Sequence, residues 1–399
     1  MRALIAGAGV SGPMTAYWLA KHGWDVVVIE RAEQLRLGGQ NIDITDAARE
    51  VVRMMGIEDT IRAHHTGEKG VAFVDAEGRV TARFPVEEKG SLTREIEILR
   101  GDLVKIIVDA NPESVEYRYG RSIDALGRRD DGVTVTFDDG ATEDFDVVIA
   151  ADGMNSRTRE LVIGPDARPR DYLGCWSSYF TLPRREGDDD WWRWYTSANG
   201  IVAFLRPDNE GTMRSSVNFL SDDDHPPHMS LDEKRKRLQD RLRGSGWECD
   251  RIADDLEGVD DIYLGPLHQI KADRWSDGRC VLAGDAAHCP TPYTGMGTTL
   301  AIIGAYVLAG ELATHDRPED AFAAYERRFR DFAETNQKLP PGVPDIAYAQ
   351  SEMKRRLINL GAKVAASSPV QSVASFFDGG KRSEQVTFDL PDYGGRKAA

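Results

Sequence analysis

The first thirty residues carry the most regular pattern of apolar and polar positions in the chain. A short apolar run at residues 2–6 and a second at residues 26–29, which ends on Glu30, are separated by a segment of helical length at residues 12–22. Strand, helix and strand in this order predict a βαβ unit, in which the two strands lie parallel.

Further along the chain, the spacing of the apolar positions changes from segment to segment. Alternation predicts strands, whereas spacings of three and four predict helices. On this basis we expect a hairpin at residues 71–84, a β-meander ending in a buried strand at residues 115–148, a mostly antiparallel sheet with one aromatic face at residues 171–264, and helices at residues 298–312, 318–337 and 345–365.

Three glycines connect the first strand to the first helix. Gly7, Gly9 and Gly12 follow the strand in the order G-x-G-x-x-G. In a dinucleotide-binding unit the first glycine makes the tight turn, the second lets a pyrophosphate approach the backbone, and the third lets helix and strand pack closely. The phosphates would lie at the helix N-terminus, and Glu30 would accept hydrogen bonds from a ribose. The motif does not distinguish FAD from NAD, and a βαβ unit without a ligand is the structural alternative.

A second turn rich in glycine and proline lies much later in the sequence. An apolar run at residues 279–283 leads into residues 284–297, which contain one acid, Asp285, and a helix is expected from Thr298. An acid at the end of a strand, followed by a helix N-terminus, can bind a ligand that carries hydroxyl groups and electron-rich oxygens. The chain therefore has two candidate binding turns.

Composition narrows the classes of function. The chain has 399 residues, which suits two connected domains, and its net charge of −16 argues against nucleic acid and anionic membranes as partners. The longest apolar stretch, Leu300 to Ala309, is shorter than the ~18 residues of a membrane span and is interpreted as a buried helix. The four cysteines are too far apart for a C-x-x-C metal or redox site, so we expect reduced thiols, no metal and a cytoplasmic location.

Three motifs in combination resemble those of the group A flavoprotein aromatic monooxygenases, the family of p-hydroxybenzoate hydroxylase. The resemblance covers residues 1 to about 335, and within the family it points to the tetracycline-inactivating and polyketide hydroxylases. The motifs are the first glycine turn with Glu30, Asp152-Gly153 within residues 150–159, and Gly284-Asp285-Ala286-Ala287-His288 with Pro292, Gly295 and Gly297.

The resemblance implies how an FAD cofactor is held. Glu30 would bind the adenosine ribose, Asp285 the ribityl chain and Arg100 the phosphate or ribityl region, while Asp152 would lie near the pyrophosphate. No catalytic side chain is nominated, because the chemistry belongs to the flavin, whose ring would lie near Pro292 and Gly295. The full set expected at the cofactor is Gly7, Gly9, Val10, Ser11, Gly12, Glu30, Arg31, Arg36, Asp43, Arg100, Asp152, Asp285, Pro292, Gly295, Met296, Gly297 and Thr298.

The fold implied is α/β (α+β): a Rossmann-like FAD-binding domain with an inserted, mostly antiparallel substrate sheet and a C-terminal bridging helix. The expected boundaries are 1–70, 95–170 and 265–335 for the FAD-binding domain, 71–94 and 171–264 for the substrate domain, 340–378 for the C-terminal helix and 379–399 for a mobile tail.

The activity implied is hydroxylation of an aromatic or polyketide-like small molecule, with NAD(P)H as transient electron donor, O2 as co-substrate and a C4a-hydroperoxyflavin as the oxygenating species. Such chemistry needs a cavity that excludes water. Aromatic residues of the sheet are the candidates for its lining, with ordinary sheet packing as the alternative for each: Trp176, Trp192, Trp194, Phe204 and Phe219.

Two related enzyme classes lack their motifs here. A pyridine-nucleotide disulfide reductase needs a second G-x-G-x-x-G and a redox C-x-x-x-x-C. A flavin halogenase needs Trp-x-Trp-x-Ile-Pro, which residues 192–194 begin and the following residues do not continue. Two alternative functions stay open: another FAD-dependent oxidoreductase of this fold, and a flavin-bound sensor or sequestering protein without turnover. The sequence also leaves open the choice between NADH and NADPH and that between a monomer and a homodimer.

Overall fold

The βαβ unit predicted at the start of the chain is present, and it forms the centre of the larger architecture. The computed structural model describes residues 1–86, 96–164, 170–224, 228–339, 342–367 and 387–394. Within these ranges the strands are β1 (Arg2–Ala6), β2 (Asp25–Glu30), β3 (Asn41–Asp43), β4 (Gly70–Val74), β5 (Val80–Pro85), β6 (Glu97–Leu99), β7 (Val115–Tyr119), β8 (Ile123–Arg128), β9 (Val133–Phe137), β10 (Thr142–Phe145), β11 (Val147–Ala150), β12 (Arg170–Pro183), β13 (Trp192–Thr196), β14 (Ile201–Pro207), β15 (Thr212–Leu220), β16 (Tyr263–Ile270), β17 (Ser276–Asp277) and β18 (Cys280–Leu282). The helices in the same ranges are α1 (Ser11–Lys21), α2 (Asp46–Met54), α3 (Glu58–Ala63), α4 (Arg100–Ala110), α5 (Arg157–Ile163), α6 (Leu231–Leu242), α7 (Cys249–Asp255), α8 (Asp285–His288), α9 (Gly297–Thr314), α10 (Pro318–Gln337) and α11 (Glu352–Ser367), with 3-10 turns at Leu256–Gly258, Pro292–Thr294 and Asp345–Ala347.

A largely parallel sheet organises the cofactor motifs. Its strand order is β17-β18-β11-β1-β2-β7, and β2, β1, β11 and β18 run in the same direction. The carboxyl ends of these strands therefore meet at one edge, where open α/β sheets bind their ligands. Glu30 ends β2, Gly7 follows β1, Asp152 follows β11 and Asp285 follows β18. The sheet topology thus brings the three sequence motifs to one place.

The second sheet matches the prediction of a mostly antiparallel layer. Its order is β16-β12-β15-β14-β13-β4-β5, and the predicted hairpin β4–β5 extends it through a parallel pairing of β4 with β13. Both faces of this sheet are covered. Leu238 and Leu242 of α6 and Ile252 of α7 pack on one face, and α11 packs at the other. A capping box formed by Ser230 and Glu233 starts α6.

The predicted β-meander divides between two sheets. β8, β9 and β10 form a small antiparallel sheet of their own, whereas β7 pairs with β2 and β11 with β1 in the parallel sheet. The run at residues 115–148 thus contributes the outer strand β7 as well as the buried strand β11.

Helix α9 is the buried helix expected around Leu300 to Ala309. Among the described helices it is the one long and apolar enough to cross a membrane by length and composition, and 78% of that stretch is buried inside the protein. It packs against α1 and α10. Its apolar character is that of a helix surrounded by protein on all sides.

The C-terminal region differs from the expectation. The helix expected within residues 340–378 is α11 (Glu352–Ser367). The tail predicted to be mobile at residues 379–399 is packed at residues 387–394, where Phe388 and Leu390 lie against the core. Tyr393 donates a hydrogen bond of 2.7 Å to Glu311 of α9. The prediction was wrong for these residues because the apolar side chains within this glycine- and charge-rich segment are enough to hold it against the core. Residues 379–386 and 395–399 lie outside the described residues.

Candidate functional site

One continuous cavity of about 1250 Å3 starts at the carboxyl edge of the parallel sheet and continues beneath the antiparallel sheet. Its walls include residues from all three sequence motifs, among them Gly9, Asp152 and Asp285. The volume exceeds the roughly 300–1,000 Å3 typical of small-molecule sites, so the cavity has room for an extended ligand and a second molecule.

The three glycines of the first turn differ in the space that a side chain would have. A Cβ at Gly7 would lie 2.4 Å from the carbonyl oxygen of Ala151, and a Cβ at Gly12 would lie 1.9 Å from the carbonyl oxygen of Gly7. A Cβ at Gly9 would meet no atom within 4 Å. The first and third glycines thus permit close packing. Gly7, Gly9, Val10 and Ser11 line the cavity, whereas Gly12 lies behind the turn.

Glu30 is held in place by the backbone on both sides of it. One carboxylate oxygen accepts a hydrogen bond of 3.0 Å from the amide of Ala8, and the other accepts one of 3.0 Å from the amide of Ala32. Each oxygen keeps a further lone pair for a ligand hydroxyl. Glu30 and the neighbouring Arg31 both border the cavity.

The carboxylate of Asp152 shapes the loop that follows it. It accepts hydrogen bonds from the Ser156 hydroxyl, from the Thr158 amide at 3.2 Å and from the Thr158 hydroxyl at 2.9 Å. Ser156 in turn caps α5. Asp152 also borders the cavity. Its hydrogen bonds to Ser156 and Thr158 give it a second, loop-shaping role that the sequence did not indicate.

Asp285 and Arg100 form the charged part of the wall. Burial raises the pKa of the Asp285 carboxyl, and a contact with Cys289 and the positive charge of Arg100 counteract this. Burial lowers the pKa of the Arg100 guanidinium, and the negative charge of Asp285 opposes the shift. Arg36 and Asp43 border the same cavity. The wall therefore offers both a hydroxyl acceptor and a cation.

The loop before α9 contains polar atoms that a ligand can satisfy. Within the described residues, the hydroxyl oxygens of Ser11 and Thr291 are buried without a hydrogen-bond partner, and both residues line the cavity. Thr291 also has a φ of 87°, which is strained for a β-branched residue. Buried unpaired hydroxyls are uncommon in native proteins, and a bound polar ligand is one explanation for them. The other loop residues expected at the ligand also line the cavity: Pro292, Gly295, Met296, Gly297 and Thr298.

The aromatic residues of the second sheet separate into two groups. Trp192, Trp194 and Phe204 line the cavity, and their contact with a substrate stays a prediction. The prediction was wrong for Trp176 and Phe219, which stack on each other at 6.0 Å in the core beneath α6. Successive side chains of a strand point to opposite faces, and these two belong to the face that packs on helices.

Two tyrosines that the sequence did not single out meet at the cavity wall. The hydroxyls of Tyr293, in the loop before α9, and Tyr348, after the 3-10 turn Asp345–Ala347, lie 2.5 Å apart in a hydrogen bond, and both residues line the cavity. Burial raises the pKa of each phenol well above its usual value. The contact joins the C-terminal region to the loop of the third motif. No periodic signal marks either residue.

His288 is a packing residue. It is 2% exposed, its ring lies 4.9 Å from that of Trp275, and burial lowers its pKa to about 4. The imidazole is therefore neutral at neutral pH and enclosed by aromatic rings.

The sequence from residue 1 to residue 338 matches the FAD binding domain family. The chain belongs to the FAD-dependent aromatic monooxygenases. It is a flavoprotein monooxygenase with FAD as its cofactor, and its fold is the Rossmann-like α/β architecture expected for that family.

Relatives of this monooxygenase cover nearly its full length. Monooxygenase CTB7 of Cercospora beticola is 35% identical over 413 residues, covering 98% of this chain and 97% of that protein. Uncharacterized protein Rv1260 of Mycobacterium tuberculosis (strain ATCC 25618 / H37Rv) is 36% identical over 351 residues, covering 86% of this chain and 94% of that protein. The solved structure of tetracycline destructase Tet(55) is 30% identical, with a TM-score of 0.81 and 98% coverage of both chains. The chain therefore lies near the tetracycline destructase branch of the family.

Proposed function

We propose that this monooxygenase hydroxylates an aromatic or polycyclic small molecule, with NAD(P)H as electron donor and O2 as the source of the oxygen atom. FAD, when bound, supplies the redox chemistry that accepts reducing equivalents and activates O2. The observation that carries the proposal is the continuity of one cavity from the first glycine turn to the aromatic wall at Trp194 and Phe204.

The cofactor half of the cavity would take FAD in an extended form. The pyrophosphate would lie against Gly9 and the N-terminus of α1, where unpaired amides favour negative charge. Glu30 would accept the hydrogen bonds of the adenosine ribose, and Asp285 those of the ribityl hydroxyls. Arg100 would neutralise phosphate charge, and the residues from Pro292 to Thr298 would surround the ring.

The aromatic half would take the substrate. Trp192, Trp194 and Phe204 form an apolar wall from the sheet, and Tyr293 and Tyr348 line the cavity from the loop and the C-terminal region. Apolar rings exclude water, which oxygen transfer requires if reducing equivalents are not to be lost as peroxide.

Ligand-stimulated NAD(P)H oxidation by purified, flavin-containing protein tests the proposal. A panel of hydroxylated polycyclic aromatic compounds, including tetracycline, would be screened in air, with product mass measured for each. We expect at least one compound to accelerate oxidation and to gain one oxygen atom. Protein that binds flavin and ligand but shows neither effect with any compound would contradict catalysis and favour a sensor or sequestering protein.

A further inference from the structure

The cavity face of the antiparallel sheet is ordered into three rows by its strand register. Directly paired residues of neighbouring strands lie side by side on one face. The rows are Arg206, Arg214 and Thr181; then Trp194, Phe204 and Ser216; then Thr196, Val202, Asn218 and Ser177. The face thus changes from charged through aromatic to uncharged and polar.

The charges of the first row are already compensated within the protein. The Arg206 guanidinium donates to the carboxylate of Glu68 at 2.8 Å and to that of Glu97, and both acids are buried. Arg214 donates to Asp208 at 2.9 Å and to Glu210. Each guanidinium therefore has two carboxylate partners. An anionic substrate would gain little from either arginine and would meet the nearby carboxylates.

The third row carries neutral hydrogen-bonding groups that the protein leaves available. The Asn218 side-chain amide donates to the Ser216 hydroxyl at 3.1 Å, and its oxygen lies 3.4 Å from the same hydroxyl, so the second amide hydrogen and one oxygen lone pair are left. The Ser177 hydroxyl, opposite Asn218 in the register, is buried with the Tyr179 phenol as its hydrogen-bonding neighbour, and it keeps a further bonding position. Val202, Asn218 and Ser177 of this row line the cavity. A ligand oxygen can fill the bonding positions that these buried groups have left.

We infer that the substrate half takes a neutral, planar polycyclic aromatic molecule whose rings lie on Trp194 and Phe204 and whose hydroxyl or carbonyl oxygens bond to Asn218 and Ser177. Aromatic carboxylates are selected against. This inference rests on the proposed function for the location of the substrate, and it assigns the specificity to one row of the sheet.

Equilibrium binding to the oxidised holoenzyme, without reductant, tests the inference separately from turnover. The two probes are 1,8-dihydroxyanthraquinone and its 3-carboxylate, which differ in one negative charge, and quenching of tryptophan fluorescence gives the dissociation constants. We expect the neutral probe to bind at least about tenfold more tightly, a difference of about 1.4 kcal/mol. Equal or tighter binding of the carboxylate would overturn the inference, and so would the absence of binding by both probes.

Variants locate the oxygen contacts. Asn218→Leu and the smaller change Ser177→Ala should each weaken binding of the neutral probe by roughly two- to tenfold, the range expected for one net hydrogen bond. Ser178→Ala is the matched control, because the Ser178 hydroxyl bonds to the backbone of Val217 and does not line the cavity. Unchanged affinity in Ser177→Ala with full flavin content would overturn the assignment, whatever the folding of Asn218→Leu. Loss of NAD(P)H oxidation with these binding differences intact would instead count against the proposed function alone.

Discussion

The backbone amide of Ala8, in the turn after β1, donates a hydrogen bond of 3.0 Å to the carboxylate of Glu30 at the end of β2. This contact fixes the acid beside the glycine turn. Glu30→Ala should raise the dissociation constant of FAD by about tenfold or more, because a charged hydrogen bond contributes about 1.5–3 kcal/mol. Titration of the apoprotein with FAD measures the effect. Glu33→Ala, an exposed acid outside the cavity lining, is the control and should leave the affinity unchanged.

The second and third glycines of the first turn should respond differently to a side chain. Gly9→Val adds atoms where no protein atom lies within 4 Å, so we expect folded apoprotein that has lost FAD. Gly12→Ala places a Cβ 1.9 Å from the Gly7 carbonyl oxygen, so we expect a lower Tm of the apoprotein itself. Flavin absorbance and thermal unfolding separate the two effects. Full flavin occupancy in Gly9→Val would count heavily against the account.

Asp285 should stabilise the holoenzyme while destabilising the apoprotein. Burial raises its pKa above the ordinary 3.8, so the folded apoprotein binds the proton more tightly than the unfolded chain and loses stability as the pH rises above about 4. Asp285→Asn should therefore raise the Tm of the apoprotein at neutral pH while weakening FAD binding. The gain in Tm should shrink as the pH is lowered toward 3.8. An apoprotein with unchanged Tm and unchanged FAD affinity would contradict the assignment of this residue.

Substitutions at two tryptophans of the antiparallel sheet should affect substrate binding and protein stability separately. Trp194 lines the cavity and its ring lies 4.4 Å from that of Phe204, whereas Trp176 lies in the core on the other face. Trp194→Leu should raise the KM for an accelerating aromatic compound by roughly two- to tenfold, through loss of ring contacts. Trp176→Phe should lower Tm and leave KM unchanged. A larger change in KM for Trp176→Phe than for Trp194→Leu would place the substrate on the face that carries Trp176, and it would contradict the account.

The parts of the site that the sequence predicted are those encoded by local patterns. Gly7, Gly9 and Gly12 have fixed spacing after a strand, and close contacts with backbone atoms explain Gly7 and Gly12 in the structure. The acids Glu30 and Asp285 each end or follow a parallel strand, so their meeting at one edge of the sheet follows from the topology. The predicted roles of these residues toward FAD and the domain boundaries stay predictions.

The parts that the sequence could not predict depend on which face of a strand meets which neighbour. Both faces of the antiparallel sheet are buried, so alternation alone does not tell Trp176 from Trp194. The pairing of β12 with β16 is also irregular between Tyr172 and Trp176. The row formed by Ser177 and Asn218 becomes recognisable only when the strand register is known, because neither residue type carries a periodic signal in the sequence.

A crystal structure of the purified, yellow holoenzyme tests the central claim most directly. The account predicts one extended FAD molecule in the described cavity, with its adenosine ribose at Glu30, its pyrophosphate at Gly9 and its ring beside Pro292 and Gly295. FAD bound at another place, or a flavin that contacts only one of the two turns, would contradict it.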